Sequence, residues 1–100
     1  MLAAWHLRGV GGPSAGKSFV LDGEVRIGRD PVQCLVHLEE NVVSRQHAVL
    51  NRDAVGNGWQ VRRLSSTGPL YVNGQAVDDA LLKPGDQVQV GSSVFLVETA

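Results

Sequence analysis

The chain is poor in the residues that staple, anchor or electrify a small protein. One of its 100 residues is cysteine, Cys34, so no internal disulfide can form and the framework logic of small secreted domains does not apply. No apolar run exceeds five residues, far short of a bilayer span. Met1 to Val10 carries Trp5, His6 and Arg8 where a signal peptide needs an unbroken apolar stretch. Nine basic and ten acidic side chains leave a formal net charge of −1 with no run of one sign, so the counterion-driven affinity of nucleic-acid binders has no source. Neither a membrane nor a nucleic acid is an expected partner, and the expected setting is intracellular, in a reducing cytoplasm. Absent too is any stretch with a helical apolar stripe between caps.

What is abundant is valine, sixteen copies against one isoleucine and five aromatics. β-Branched side chains lose rotamer freedom in helices and pack well on a pleated face, so the composition leans to strand. Period-two alternation appears in Phe19-Val20-Leu21, Glu24 to Ile27, His47 to Leu50, Trp59-Gln60-Val61, Gln87 to Val90 and Val94 to Val97. Asp22-Gly23, Asn57-Gly58 and Asn73-Gly74 suit two-residue hairpin turns, and Pro84-Gly85-Asp86 suits another tight turn. The expected fold is one all-β domain over residues 1–100, an antiparallel sandwich or barrel made mainly of hairpins, whether alone or within a longer protein. Trp5 and Trp59 alternate with polar neighbours and read as core aromatics.

Gly11 to Ser18 matches the nucleotide-binding pattern GxxxxGK[ST] letter for letter. That loop works because its N–H groups open the first turn of a helix, whose dipole and orphan donors hold the phosphates. Here Ser18 leads into Phe19-Val20-Leu21, a strand, and no second strand offers a magnesium-holding carboxylate. A nucleotide hydrolase is therefore a remote alternative, and a glycine-rich hairpin loop with a solvated lysine is the expected structure.

Two other segments point to a phosphate receptor. Arg29 lies where the strand ending at Ile27 gives way to Asp30-Pro31, and Gly28 beside it allows close backbone approach. A guanidinium there can offer two parallel N–H groups to phosphate oxygens, although a surface ion pair with Asp30 is the simpler use of an isolated arginine. Ser44-Arg45-Gln46-His47 opens the strand that runs to Leu50. Ser44 can cap a turn or give its O–H to an anion with Arg45 as a second cation, and His47 suits a structural hydrogen-bonding role better than acid-base work. Ser44 and His47 lack a third group to orient them for nucleophilic catalysis, so no catalytic residue is assigned. Cys34 with His6, His37 and His47 lacks the paired spacing of a structural zinc site, and neither a metal nor a cofactor is expected.

Gly28-Arg29, the spacing to Ser44-x-x-His47, and Leu64-Ser65-Ser66-Thr67 leading to Tyr71-Val72-Asn73-Gly74 together resemble the forkhead-associated (FHA) domain, a phosphothreonine-recognition module. The resemblance implies an FHA/SMAD-like sandwich of about eleven short strands that binds a phosphothreonine-containing protein segment on loops at one end. It implies that Arg29 and Ser44 hold the phosphate, that Arg45 and Thr67 assist, and that Gly28, His47, Ser66, Asn73 and Gly74 brace the loops. A departure accompanies it: where the family usually reads serine, variable, asparagine, glycine, this chain has Ser66-Thr67-Gly68-Pro69. The missing amide predicts altered or looser selection of flanking sequence, and it motivates a runner-up reading, a phosphate-independent scaffold domain of the same fold in a signalling or secretion assembly.

Overall fold

The computed structural model describes residues 4–53 and 58–99. Eleven strands occur among them: β1 Trp5–Gly11, β2 Ser18–Leu21, β3 Val25–Gly28, β4 Val36–His37, β5 Ala48–Arg52, β6 Trp59–Arg63, β7 Leu70–Val72, β8 Gln75–Val77, β9 Asp79–Leu82, β10 Gln87–Val90 and β11 Ser93–Thr99. They form two sheets, β2-β1-β11-β10-β7-β8 and β4-β3-β5-β6-β9. Alternation places Val88, Val90, Phe95 and Val97 from the first sheet against Val25, Ile27, Leu50 and Val61 from the second, and all eight are buried. Trp59 lies fully inside as expected, while Trp5 only packs partly buried against the core. Phe19 meets Phe95 edge to face, with ring centroids 6.1 Å apart. Each large side chain so buried contributes roughly 1.5–3 kcal/mol, which is how short strands hold without covalent staples.

The expected sandwich is observed, with two differences of connection. The short pairing of β3 with β4 is parallel, since the chain leaves β3 by a turn and returns alongside it. The hairpin expectation also fails at Asp22-Gly23, while the tight turn expected at Pro84-Gly85-Asp86 forms, with Asp86 N–H on Lys83 O at 3.0 Å. Asp22-Gly23 joins β2 to β3 and Pro84-Gly85-Asp86 joins β9 to β10, and in both cases the two strands belong to different sheets. Turn-forming dipeptides report a reversal of direction, and the partner of the next strand is decided by packing. Asn73-Gly74 is a true hairpin turn between β7 and β8, with φ of 52° and 82° at its two residues. The turn expected at Asn57-Gly58 falls partly outside the described residues.

The loop from Gly11 to Ser18 contains a single 3-10 segment, Gly12–Ser14, separated from β2 by the turn at Ala15-Gly16 and by Lys17. Its main-chain donors are already used: Ala15 N–H on Gly12 O, Gly16 N–H on Gly9 O, and Lys17 N–H on Ser14 O. Lys17 lines a recess of about 300 Å³ together with Glu39 and Glu40, whose carboxylates oppose an anion. The loop is the expected hairpin connection, since β1 and β2 pair antiparallel across it and Lys17 is exposed, but it is held by its own hydrogen bonds, and it has neither the helix nor the open N–H cradle that a nucleotide phosphate requires.

Register brings the ends of four strands together. Ile27 pairs with Ala48, and Ala48 pairs with Arg63, so β3 ends beside the start of β5 and the end of β6. A hydrogen bond from His47 to Pro69 adds the start of β7. The loops at 29–35, 38–47 and 64–69 therefore share one end of the sandwich, and the turns at 73–74 and 83–86 lie at the other end of β7 and β10.

Candidate functional site

The three loops at the first end are stitched by main chain before any side chain contributes. Arg29 N–H donates to Ser44 O at 3.0 Å, Asp30 N–H to Arg45 O at 3.1 Å, and His47 N–H to Ile27 O at 2.8 Å. This close approach explains Gly28: a Cβ built there would stand 2.2 Å from Arg45 O and 2.9 Å from Ser44 O. The glycine makes room for the neighbouring loop of the protein, which corrects its reading as clearance for a ligand.

Arg29 is exposed, and its Nε donates to Val43 O. That bond fixes the plane of the guanidinium and leaves both terminal nitrogens without a partner among the described residues. The alternative reading, an ion pair with Asp30, is not what forms. Asp30, whose side chain is 14% exposed, instead pairs with the exposed Arg45 at 3.5 Å, a long contact of small energetic weight. The Asp30 carboxylate also accepts from Val32 N–H at 3.0 Å and from Gln33 N–H at 3.4 Å. The Val32 bond, helped by Gln33 and Arg45 against the opposing effect of desolvation, holds this carboxyl below the ordinary aspartate range. Cys34, buried beside it, donates its thiol to Arg45 O at 3.3 Å, and burial pushes that thiol up.

His47 is 1% exposed and ties two loops. Ser44 N–H donates to its Nδ1 at 3.1 Å, so Nδ1 carries no proton; Nε2 must carry it and donates to Pro69 O at 2.9 Å. Both ring nitrogens are thus committed to main chain, and the ring is a brace. Gly68 lies against the Cε1 edge of its ring: a Cβ at 68 would come within 2.3 Å of His47 Cε1. The absent asparagine is therefore a steric consequence of where this loop runs, and no side chain fits there.

The hydroxyl of Ser44 lies 2.6 Å from that of Ser65. Ser65 is buried, and its Oγ also receives Gly68 N–H at 2.8 Å and Thr67 N–H at 3.2 Å. Thr67 and Ser66 are exposed at the tip of this loop. The bracing role expected of Ser66 belongs to Ser65, since the Ser66 hydroxyl makes no hydrogen bond among the described residues. Nothing in the run of small polar residues marks which serine turns inward. Asn73 and Gly74 are likewise misplaced by the sequence reading. Asn73 Nδ2 donates to Asp86 Oδ1 at 3.0 Å and its Oδ1 accepts from Gln87 N–H at 2.9 Å, which closes the opposite end of the sandwich.

One anchor had no signal in the sequence. Glu40 accepts from Ser92 N–H at 2.9 Å, Ser92 Oγ at 2.7 Å and Ser93 Oγ at 3.3 Å, clamping the loop that carries Val43 and Ser44 to the turn between β10 and β11. Burial pushes this carboxyl up, but the three donors together outweigh it and hold the group below the ordinary glutamate value. Next to Arg29 a groove of about 480 Å³ opens, lined by Arg29, Pro31, His37, Glu39 and Asn41. The site is therefore an exposed fork of N–H donors, a neighbouring hydroxyl, a second cation at Arg45 and an adjoining groove. Among the described residues no group of histidine, cysteine and carboxylate side chains is arranged to hold a metal.

A family model for the FHA domain matches residues 25–91. The chain belongs to the FHA domain family. It is 40% identical over 81 residues to the glycogen accumulation regulator GarA of Mycolicibacterium smegmatis, a match covering 80% of this chain and 49% of the relative. The chain thus spans about half the length of the curated relatives it matches. Among solved structures it superposes on Mycobacterium tuberculosis EmbR in complex with a low-affinity phosphopeptide, at TM-score 0.82 and 25% identity, covering 98% of this chain and 25% of that one. It also superposes on the cytoplasmic domain of the type III secretion sorting-platform protein PscD from Pseudomonas aeruginosa, at TM-score 0.78 and 26% identity, covering 96% and 80%.

Proposed function

We propose that this domain is a non-catalytic interaction module that binds a phosphothreonine-containing segment of a partner protein on the loops bearing Arg29, Ser44 and Thr67. The observation that carries the reading is the unused guanidinium edge of Arg29, held in plane by Val43 O, beside the Ser44 hydroxyl in one loop cluster. A phosphothreonine brings about −1.5 to −2 charges and oxygens that only accept, which is the complement of the unused donors at Arg29 and Ser44. Arg29 would take two oxygens bidentately, Ser44 and Thr67 a third, and Arg45 would add charge once drawn from its weak pairing with Asp30. The backbone of the bound segment would follow the groove past His37 and Glu39. Membership of the FHA family and the likeness to a phosphopeptide-bound EmbR support the same assignment.

Catalysis finds no support at this site, because His47 has both nitrogens engaged with main chain and cannot take a proton from Ser44. The likeness to GarA, named as a regulator, fits a module that acts by binding. An intracellular setting suits such partners, and no helix among the described residues is long and apolar enough to cross a membrane. The test is calorimetric titration with one peptide in three forms, carrying phosphothreonine, phosphoserine and threonine. Binding of the first alone, or of the first most tightly, supports the proposal. Equal affinity for all three favours the second reading, a phosphate-independent scaffold, which the likeness to PscD and the loss of the asparagine amide at Gly68 recommend.

A further inference from the structure

We infer that Ser65 is a positioning residue of the phosphate site: its hydroxyl donates to Ser44 Oγ and so turns the Ser44 proton outward toward the ligand. The inference rests on the phosphothreonine reading and adds a residue and a direction that family membership does not supply.

The direction follows from counting. A serine oxygen carries two lone pairs and one proton. The Ser65 oxygen receives two main-chain donors, Gly68 N–H at 2.8 Å and Thr67 N–H at 3.2 Å, which fill its acceptor capacity. Its remaining contact is Ser44 Oγ at 2.6 Å, a length typical of O–H···O bonds, and there only the Ser65 proton can lie. The reverse arrangement would crowd a third proton onto a full acceptor and leave the O–H of a residue 6% exposed with nothing to meet, a costly state for a buried donor. With one lone pair of Ser44 taken by Ser65, the Ser44 O–H is left over. Ser44 is half-buried and its carbonyl accepts Arg29 N–H from the neighbouring loop, so that proton is free to turn to the exposed side.

The chain of donors therefore runs from the amides of residues 67 and 68 through Ser65 to Ser44 and out. Each link polarises the next, so the outermost O–H is a stronger donor than an isolated serine. The arrangement favours an oxygen that only accepts, which a phosphate dianion has and an unmodified threonine hydroxyl, itself a donor, does not have in the same degree. It also explains how the loop works without the asparagine amide: ordering of the Thr67 and Gly68 amides falls to a buried hydroxyl.

The test uses the domain and the tightest member of a degenerate phosphothreonine peptide pool selected on the parent. Ser65→Ala should weaken binding about tenfold, the size of one lost hydrogen bond to a charged ligand. The decisive comparison is Ser65→Ala placed on Ser44→Ala. If Ser65 acts through Ser44, its effect shrinks to near nothing in that background, and Ser65→Thr, which keeps the hydroxyl, binds like the parent. An undiminished loss in the double variant, or parental affinity in Ser65→Ala, overturns the inference. A parent that binds no member of the pool removes the functional reading, and a ligand-free measurement then judges the geometry: NMR should find a slowly exchanging Ser65 hydroxyl proton close in space to Ser44. A protected Ser44 hydroxyl proton with Ser65 exchanging freely reverses the direction and sinks the proposal.

Discussion

Two clusters of polar side chains close the two ends of this sandwich, and they differ in what they leave over. At the end beyond β7, Asn73 uses its amide on Asp86 and its carbonyl on Gln87 N–H, while the second oxygen of Asp86 takes Lys83 N–H at 2.8 Å. Donor meets acceptor throughout, and the result is a closed brace with a carboxylate at its centre. At the other end, His47, Ser65 and Glu40 also tie loops to main chain, yet the tying leaves the terminal guanidinium nitrogens of Arg29 and the proton of Ser44 facing outward. Both clusters hold the fold, but only the second leaves donors unused at Arg29 and Ser44, although the carboxylate of Glu39 lines the adjoining groove and that of Asp30 pairs with Arg45. An excess of one hydrogen-bonding sense at an exposed place, more than the number of polar residues, separates a receptor from a staple.

The comparison breaks most readily at Arg29. Arg29→Ala should remove about 2–5 kcal/mol of phosphopeptide affinity and leave the thermal midpoint near that of the parent, because the side chain is exposed. Arg29→Lys should lose most of that affinity as well, since a point charge cannot reproduce the fork, and calorimetry reads both. Gly68→Asn, which restores the family's usual residue, should destabilise the domain by about 1–3 kcal/mol in chemical denaturation, through collision with His47. Tighter peptide binding without loss of stability would show that the loop runs elsewhere. Asn73→Ala should cost about 1–2 kcal/mol of stability while the folded protein binds phosphopeptide as before. A matching loss of affinity there would erase the distinction between the two ends.

The smallest expected effect concerns acid. The folded Asp30 carboxyl lies below its unfolded value of about 3.9, so its contribution is complete above that value and is lost as pH falls through the lower folded one. Melting temperatures measured from pH 6 to pH 2 should decline more gently in Asp30→Asn, whose side-chain oxygen can still accept from Val32. Identical acid profiles for variant and parent would remove Asp30 from the account.

Alternation made the strands legible: six of the segments that alternate in sequence coincide with β2, β3, β5, β6, β10 and β11 to within a residue or two. Strands β4, β7 and β8 carry only two or three residues, too few to show a period, the four of β9 read Asp79-Ala80-Leu81-Leu82 without clean alternation, and which sheet follows a turn depends on long-range packing that dipeptides do not encode. The site was legible where a motif concentrates it, in Gly28-Arg29 and Ser44 to His47. It was not legible where a role depends on which side of a loop faces in. Ser65 and Ser66 are chemically alike, and only the fold buries the first. Glu40 finds its partners 52 and 53 residues away, so no local spacing could announce it. Asn73 sits in a motif segment and serves the far end, because a strand of three residues carries it across the molecule.

The most direct test of the central claim is an NMR titration of the domain with a phosphothreonine peptide from the selected pool and with its unphosphorylated twin, following main-chain amides together with the Arg29 Nε–H. The phosphorylated form should shift Arg29 Nε–H and the amides of Ser44, Arg45 and residues 65–68 together, while Asn73 and Gln87 stay in place and the twin moves nothing. Equal shifts from both peptides, or shifts centred on Asn73 and Asp86 with Arg29 unmoved, would contradict the account.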